Sequence, residues 1–146
     1  VYVDYAHTPE AIEVALKSLK PHILGKLIVI IGAGGERDEG KRPLMGLAAE
    51  KNSDFVIITD DNPRNEDPQL IHQMIKNGIK DKNKVMVIGD RAEAILKAVD
   101  LLGVGDCLLI AGKGHETEQF VGENIFPFDD FEQASLSVSS LDGIER

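Results

Sequence analysis

The sequence has no tryptophan and only two tyrosines and five phenylalanines, so its core must be built mainly from aliphatic side chains. Its one cysteine, Cys107, excludes an internal disulfide framework. That thiol sits in the apolar run Asp106-Cys107-Leu108-Leu109-Ile110, reads as a core residue, and fits a cytosolic origin. Long apolar runs are also missing. None approaches the roughly 20 residues that a membrane helix needs, so no membrane partner is expected. Val1-Tyr2-Val3-Asp4 lacks the basic start and apolar stretch of a secretory leader, and the absence of an initial methionine fits a processed chain or an excised fragment. Basic residues are in short supply. The formal net charge of -9 argues against a nucleic-acid partner, whose phosphates would be repelled. A small anion is not excluded, because Arg37, Lys41 and Arg42 cluster locally. No His, Cys and carboxylate spacing resembles a zinc site.

What is present reads as one α/β domain. With 146 residues the chain can bury a sizeable core without staples. Candidate strands are Tyr2-Val3, Lys26 to Ile31, Asp54 to Thr59, Lys84 to Ile88 and Cys107 to Ala111. Most are apolar throughout rather than alternating, as strands buried on both faces of a parallel sheet should be. Between them, apolar residues recur at helical spacing: Ala11, Ile12, Ala15, Leu16 and Leu19; then Leu70, Ile71, Met74, Ile75 and Ile79; then Ile95, Ala98, Val99 and Leu102. Pro9, Pro43 and Pro68 fall near first-turn positions, where a missing N–H costs nothing. Asp90 with Glu93 makes a capping box. Right-handed crossovers then predict a Rossmann-like, doubly wound, mostly parallel sheet. A C-terminal β-hairpin follows, Gln119 to Val121 and Asn124 to Phe126 about a turn at Gly122-Glu123. A last helix is expected from Asp130 to Leu141.

In such a sheet ligands bind beyond the carboxyl ends of the strands. The unusual segments all fall there: Asp4-Tyr5-Ala6-His7-Thr8-Pro9, Gly32 to Arg42, Asp60-Asp61-Asn62-Pro63-Arg64, and Ala111 to Glu116. Opposite loops, such as Lys51-Asn52-Ser53 and Asp81-Lys82-Asn83, are plain polar turns. One polar site on one rim is therefore expected. The glycine-rich loop can cradle a phosphate or simply form a flexible turn. It fails the dinucleotide fingerprint at the third glycine, and Gly112-Lys113-Gly114-His115 is not a P-loop. Asp60 to Arg64 fits a zwitterionic amino acid or an acidic solvated turn. Pro63 stiffens the loop, Arg64 offers a fork for a carboxylate, and Asp61 and Asn62 can receive an ammonium. His7 and His115 lie in rim loops, whereas His22 and His72 read as exposed or packing residues.

Together these motifs resemble the Mur ligase family, in particular its diaminopimelate-adding tripeptide synthetases. The residues that carry the likeness are Asp4 to Pro9, Gly34-Gly35-Glu36-Arg37-Asp38, Gly40 to Gly46, Asp61-Asn62-Pro63-Arg64, Gly89-Asp90-Arg91 and Ala111 to Glu116. The likeness implies a C-terminal, amino-acid-binding domain over residues 1–141, with a tail over 142–146. It implies meso-diaminopimelate contacts at Arg37, Asp61, Asn62, Pro63, Arg64, Gly112 and Glu116, and nucleotide contacts at Asp4 and His7. Lys41 and Lys113 lie where phosphate could be reached, and neither is assigned to it. The family's P-loop, magnesium ligands and modified lysine have no counterpart here, so no catalytic residue or metal ligand is expected in this stretch. ATP and Mg2+ would be held mainly by a central domain. The implied partners are meso-diaminopimelate, ATP, UDP-N-acetylmuramoyl-L-alanyl-D-glutamate and the N-terminal and central domains of one cytoplasmic enzyme. Rival readings are an L-lysine-adding or other Mur-type ligase, a folylpolyglutamate ligase domain, and a stand-alone nucleotide-binding module.

Overall fold

A computed structural model describes residues 1–142. Five strands form a parallel sheet: β1 (Tyr2–Asp4), β2 (Leu27–Ile31), β3 (Phe55–Ile58), β4 (Val85–Val87) and β5 (Cys107–Ala111). Their order across the sheet is β1-β5-β2-β3-β4. The two central strands, β2 and β5, are buried at every residue, which is why both read as unbroken apolar runs. Polar residues at the expected strand ends, Lys26, Asp54 and Lys84, lie just outside the strands. They belong to the turns instead: Asp54 accepts from Leu27 N, and Lys26 N donates to Asp106.

Helices cover both faces, as the alternating pattern predicts. On one side lie α1 (Pro9–Leu19), α2 (Lys41–Asn52) and α3 (Pro68–Asn77). They bury Ile12, Leu16, Met45, Ala49, Ile71 and Ile75 against Val29, Ile31, Val56, Ile58 and Leu109. On the other side α4 (Arg91–Leu101) sets Ala94, Ile95 and Ala98 over Ile28, Ile30, Ile57, Leu108 and Ile110. Each buried Val, Leu, Ile or Met side chain among them contributes about 1.5–3 kcal/mol on leaving water. Caps match the sequence signals. Thr8, Asp67 and Asp90 accept from Ala11, Gln69 and Glu93 N–H, and Pro9 and Pro68 open their helices. Pro43 sits two positions later, third in α2.

Beyond β5 the chain forms an antiparallel hairpin of β6 (Glu118–Val121) and β7 (Asn124–Pro127), with Gly122 at φ +60 in the turn. The last helix, α5 (Asp130–Asp142), packs beside α4 and runs one residue past the expected Leu141. Of the expected tail, residues 143–146 lie outside the described residues. The neighbours β2 and β5 are followed by segments that lead to opposite faces of the sheet, which opens a crevice at their carboxyl ends.

Candidate functional site

That crevice is a cleft of about 380 Å³, and the rim loops that stood out in the sequence line it. Of the expected site residues, His7, Arg37, Asp61, Asn62, Arg64, Gly112 and Glu116 border it together. Asp4 and Pro63 do not. The Asp4 carboxylate accepts from Ala6 N at 2.8 Å and its carbonyl from Gly112 N, so Asp4 ties the first rim loop to the fourth. Pro63 is buried beneath the loop it stiffens. Tyr5, Asp38, Lys41, Arg42 and Met45 line the cleft too, although the sequence reading gave them no substrate role.

The loop after β3 is locked into one shape by its neighbours. Asn62 Oδ1 accepts from Lys113 Nζ and from Phe120 N, both at 3.0 Å. Two donors on that oxygen fix the amide's orientation, so the NH2 end is the one left for the cleft. Asn62 therefore offers a donor, suited to a carboxylate, where an ammonium acceptor had been expected. Arg64 takes the left-handed conformation, φ +53, uncommon for a side-chain-bearing residue. Its backbone N–H donates to Phe120 O and its carbonyl accepts from Gly122 N, so the loop pairs with the hairpin like a short extra strand. One Arg64 nitrogen, Nη1, donates to Gly35 O at 3.0 Å, which leaves the rest of the fork to the cleft.

The glycine-rich loop lies against this one. Gly35 N donates to Asn62 O, and a Cβ on Gly35 would stand 1.8 Å from Pro63 O, so only glycine lets the two backbones meet. Arg42, 1% exposed, donates to both carboxylate oxygens of Glu66 and to Gly34 O. Glu66 also accepts from Glu36 N. Those hydrogen bonds, from Arg42 first, hold the Glu66 carboxyl down at about 2. Gly112, at φ +114, serves differently: a Cβ there would come within 2.6 Å of Asp61 Oδ2, so its bareness makes room for that carboxylate.

Two further buried charges stand behind the rim. Arg91 forks onto Asp130 at 2.6 and 2.7 Å and donates to Asp60 O and Ala111 O. These carbonyls immediately precede Asp61 and Gly112, so the pair fixes the roots of two site loops. Burial opposes the Arg91 charge, and Asp130, together with Asp61 and Asp60, more than offsets it. Lys113 is 0% exposed and bonds Asn62 and Glu118 O, so its ammonium is spent inside the fold rather than offered to phosphate. Burial pushes its pKa down, against the pull of nearby Asp61. His72 is the packing residue expected, with a partner: its Nε2 lies 2.6 Å from Asp60 Oδ1. In contrast, no side-chain hydrogen bond or ion pair engages Arg37, Lys41 or Glu116 among the described residues. The cleft thus combines open cationic groups (Arg37, Lys41, part of Arg64) with two carboxylates, the buried Asp61 and the unengaged Glu116.

Residues 1–114 match the family described as Mur ligase, glutamate ligase domain. The chain belongs to the Mur ligase family. It is 53% identical over 138 residues to the UDP-N-acetylmuramoyl-L-alanyl-D-glutamate--2,6-diaminopimelate ligase of Coxiella burnetii, covering 94% of this chain and 28% of that one. The ligase of the same name from Bradyrhizobium diazoefficiens is 51% identical over 96% of this chain and 28% of its own length. A solved structure, also titled as that ligase, superposes with a TM-score of 0.93 at 42% identity, over 97% of this chain and 29% of that one. This Mur ligase chain therefore spans under a third of the length of each of these three relatives. The match covers the first four rim loops as far as Gly114, and the long alignments include the hairpin.

Proposed function

We propose that this chain is the amino-acid-binding domain of a ligase that adds meso-diaminopimelate to UDP-N-acetylmuramoyl-L-alanyl-D-glutamate. The observation that carries this reading is the mixed charge of one cleft: Arg37, Arg64 and the Asn62 NH2 face the same space as Asp61 and Glu116. Meso-diaminopimelate carries an ammonium and a carboxylate at each end, so it needs both kinds of group within one pocket. Lysine lacks the second carboxylate and would leave a cation unpaired. The shared name of the relatives supports the same substrate.

In this reading the acceptor carboxylate is activated as an acyl phosphate, with ATP as the phosphate donor. The amine of the bound diaminopimelate attacks the acyl carbon, a C–N bond forms, the C–O bond breaks, and phosphate leaves. The chain's own part is to hold the amino acid by its distal end and aim the amine, which is catalysis by positioning. Asp4 and His7, on the first rim loop, would approach the nucleotide when the domain closes on its neighbours. Among the described residues no group of three or more His, Cys, Asp or Glu could hold a metal, so the fit of Mg2+ to this stretch is poor. The metal and the ATP phosphates fall to the central domain, and the domain here runs over residues 1–141. Among the described residues no helix is long and apolar enough to cross a membrane.

Steady-state kinetics of the complete ligase tests this reading. It should use meso-diaminopimelate at least about a hundredfold better than L-lysine in kcat/KM, the scale of one unpaired buried charge. This chain alone should form no amide and hydrolyse no ATP. Equal use of lysine, or ATP turnover by the chain alone, would count against it.

A further inference from the structure

Lys113 is the one fully buried lysine of the rim, and it does not line the cleft. Its two acceptors sit on different segments: Asn62 Oδ1, on the loop after β3, and Glu118 O, at the start of the hairpin. The hairpin in turn grips the same loop at four more points, one of them Gly122 N donating to Arg64 O. Gln119 Nε2 donates to Asp61 O at 2.7 Å, Phe120 N to Asn62 Oδ1 at 3.0 Å, and Phe120 O accepts from Arg64 N at 3.0 Å. Every residue from Asp61 to Arg64 except Pro63 is thus held by Lys113 or by β6.

We propose that Lys113 is a positioning residue that, together with the β6–β7 hairpin, holds Asn62 and Arg64 in the shape that grips the incoming amino acid. The inference rests on reading that loop as the amino-acid site. Its physical ground is the left-handed backbone of Arg64. A non-glycine residue in that region carries strain and keeps it only where its surroundings dictate it. Here they do, because both backbone groups of Arg64 are engaged by the hairpin. Lys113 closes the arrangement from the other side. Its ammonium draws Asn62 Oδ1 and Glu118 O together, so the loop and hairpin move as one piece. Without it, Glu118 O loses a charged donor and Asn62 Oδ1 keeps only the Phe120 N–H, so the Asn62 amide is held less firmly and Arg64 can relax. A buried lysine bonded only to neutral oxygens is an unfavourable way to stabilise a core, since hydrophobic packing would serve better. A role in holding a functional loop accounts for it.

The test uses the complete ligase, with meso-diaminopimelate as probe. Lys113→Met is expected to raise the KM for meso-diaminopimelate about tenfold and to leave that for ATP within about twofold. Added to Asn62→Ala, it should change little further, because a residue that acts through Asn62 has nothing left to hold. In the same single variant, amide exchange should quicken about tenfold at Arg64 and Phe120 and stay unchanged in β2 and β3. Equal losses for both substrates, additive effects of the two substitutions, or unchanged exchange at Arg64 would overturn the proposal. Should Lys113→Met fail to fold, Gln119→Ala decides instead, since it removes one hairpin bond at a partly exposed position. A KM for meso-diaminopimelate raised about threefold, with ATP unaffected, supports the clamp, and an unchanged KM overturns it. If the wild-type enzyme does not use meso-diaminopimelate, the function reading falls. The exchange measurement needs no substrate and still decides whether Lys113 holds the loop.

Discussion

The two ends of the sheet use the same residue types to opposite effect. At the amino end, charged side chains close short turns. Asp106 accepts from Lys26 and Gly103 N–H, Glu50 from Lys80 and Asp81 N–H, and Lys82 donates to Lys76 and Ile79 carbonyls. At the carboxyl end, the buried Arg91–Asp130 pair and the half-buried Arg42–Glu66 pair form a scaffold around a cleft. In front of it Arg37, Lys41 and Glu116 stay unengaged among the described residues. The lesson is that a charge marks a functional site by what it leaves unpaired, and that unpaired charges need a second set of charges to hold them in place. The contrast predicts that substitutions in the scaffold cost stability, those in the cleft cost substrate use, and those at the amino end cost a little stability only.

The largest effect should come from the scaffold. Asp130→Ala would strand a guanidinium that is 2% exposed, and removal of one partner of a buried pair costs about 3–5 kcal/mol. Denaturant unfolding of this chain reads that loss directly; a loss under about 1 kcal/mol would mean that the pair is not the fastening it looks to be. Next comes the cleft. Arg64→Ala in the complete ligase should lower kcat/KM for meso-diaminopimelate at least about a hundredfold and leave that for ATP nearly unchanged. Arg64→Lys should restore little, because a point charge does not reproduce the fork. Equal losses for both substrates would move Arg64 from the cleft to the scaffold.

A smaller effect concerns acid. The Glu66 carboxyl is held at about 2, below the ordinary 4.5, so its protonation favours unfolding. Its contribution is complete above pH 4.5 and is lost as pH falls through about 2. Glu66→Gln should flatten that part of the stability–pH curve, and an unaltered curve would show that Arg42 holds the carboxyl only weakly. The smallest effect belongs to the amino end. Glu50→Gln, which weakens two hydrogen bonds to the turn before β4, should cost about 1 kcal/mol and leave both KM values unchanged. Any change in substrate use there would erase the distinction between the two rims.

Much of this was legible without coordinates. The five strands, three of the five helices and the hairpin follow from apolar runs, 3.6-residue spacing and turn glycines, signals that arise between residues a few positions apart, whereas α2 followed from Pro43 and the alternation of elements. The rim that carries the cleft was legible too, because glycine, proline and paired charges gather only in the loops at that end. What the sequence did not reveal was which of those polar groups face the cleft. Lys113 and Lys41 look alike in sequence, yet one is buried and bonded to Asn62 and the other lies open at the cleft. Nor could a lone Asn-Pro-Arg run show that Asn62 turns its NH2 outward, since the two donors that orient it come from Lys113 and Phe120.

The sequence by itself determined the doubly wound sheet and the end of it where chemistry gathers, because strand burial and helix periodicity are written in near neighbours. Only the tertiary structure decided the roles of the charges. Arg42 meets Glu66 across 24 residues, Arg91 meets Asp130 across 39, and Lys113 meets Asn62 across 51. Hydrogen bonds are short-range and directional, so whether a charge is spent or free depends on which segments the sheet order brings within about 3 Å.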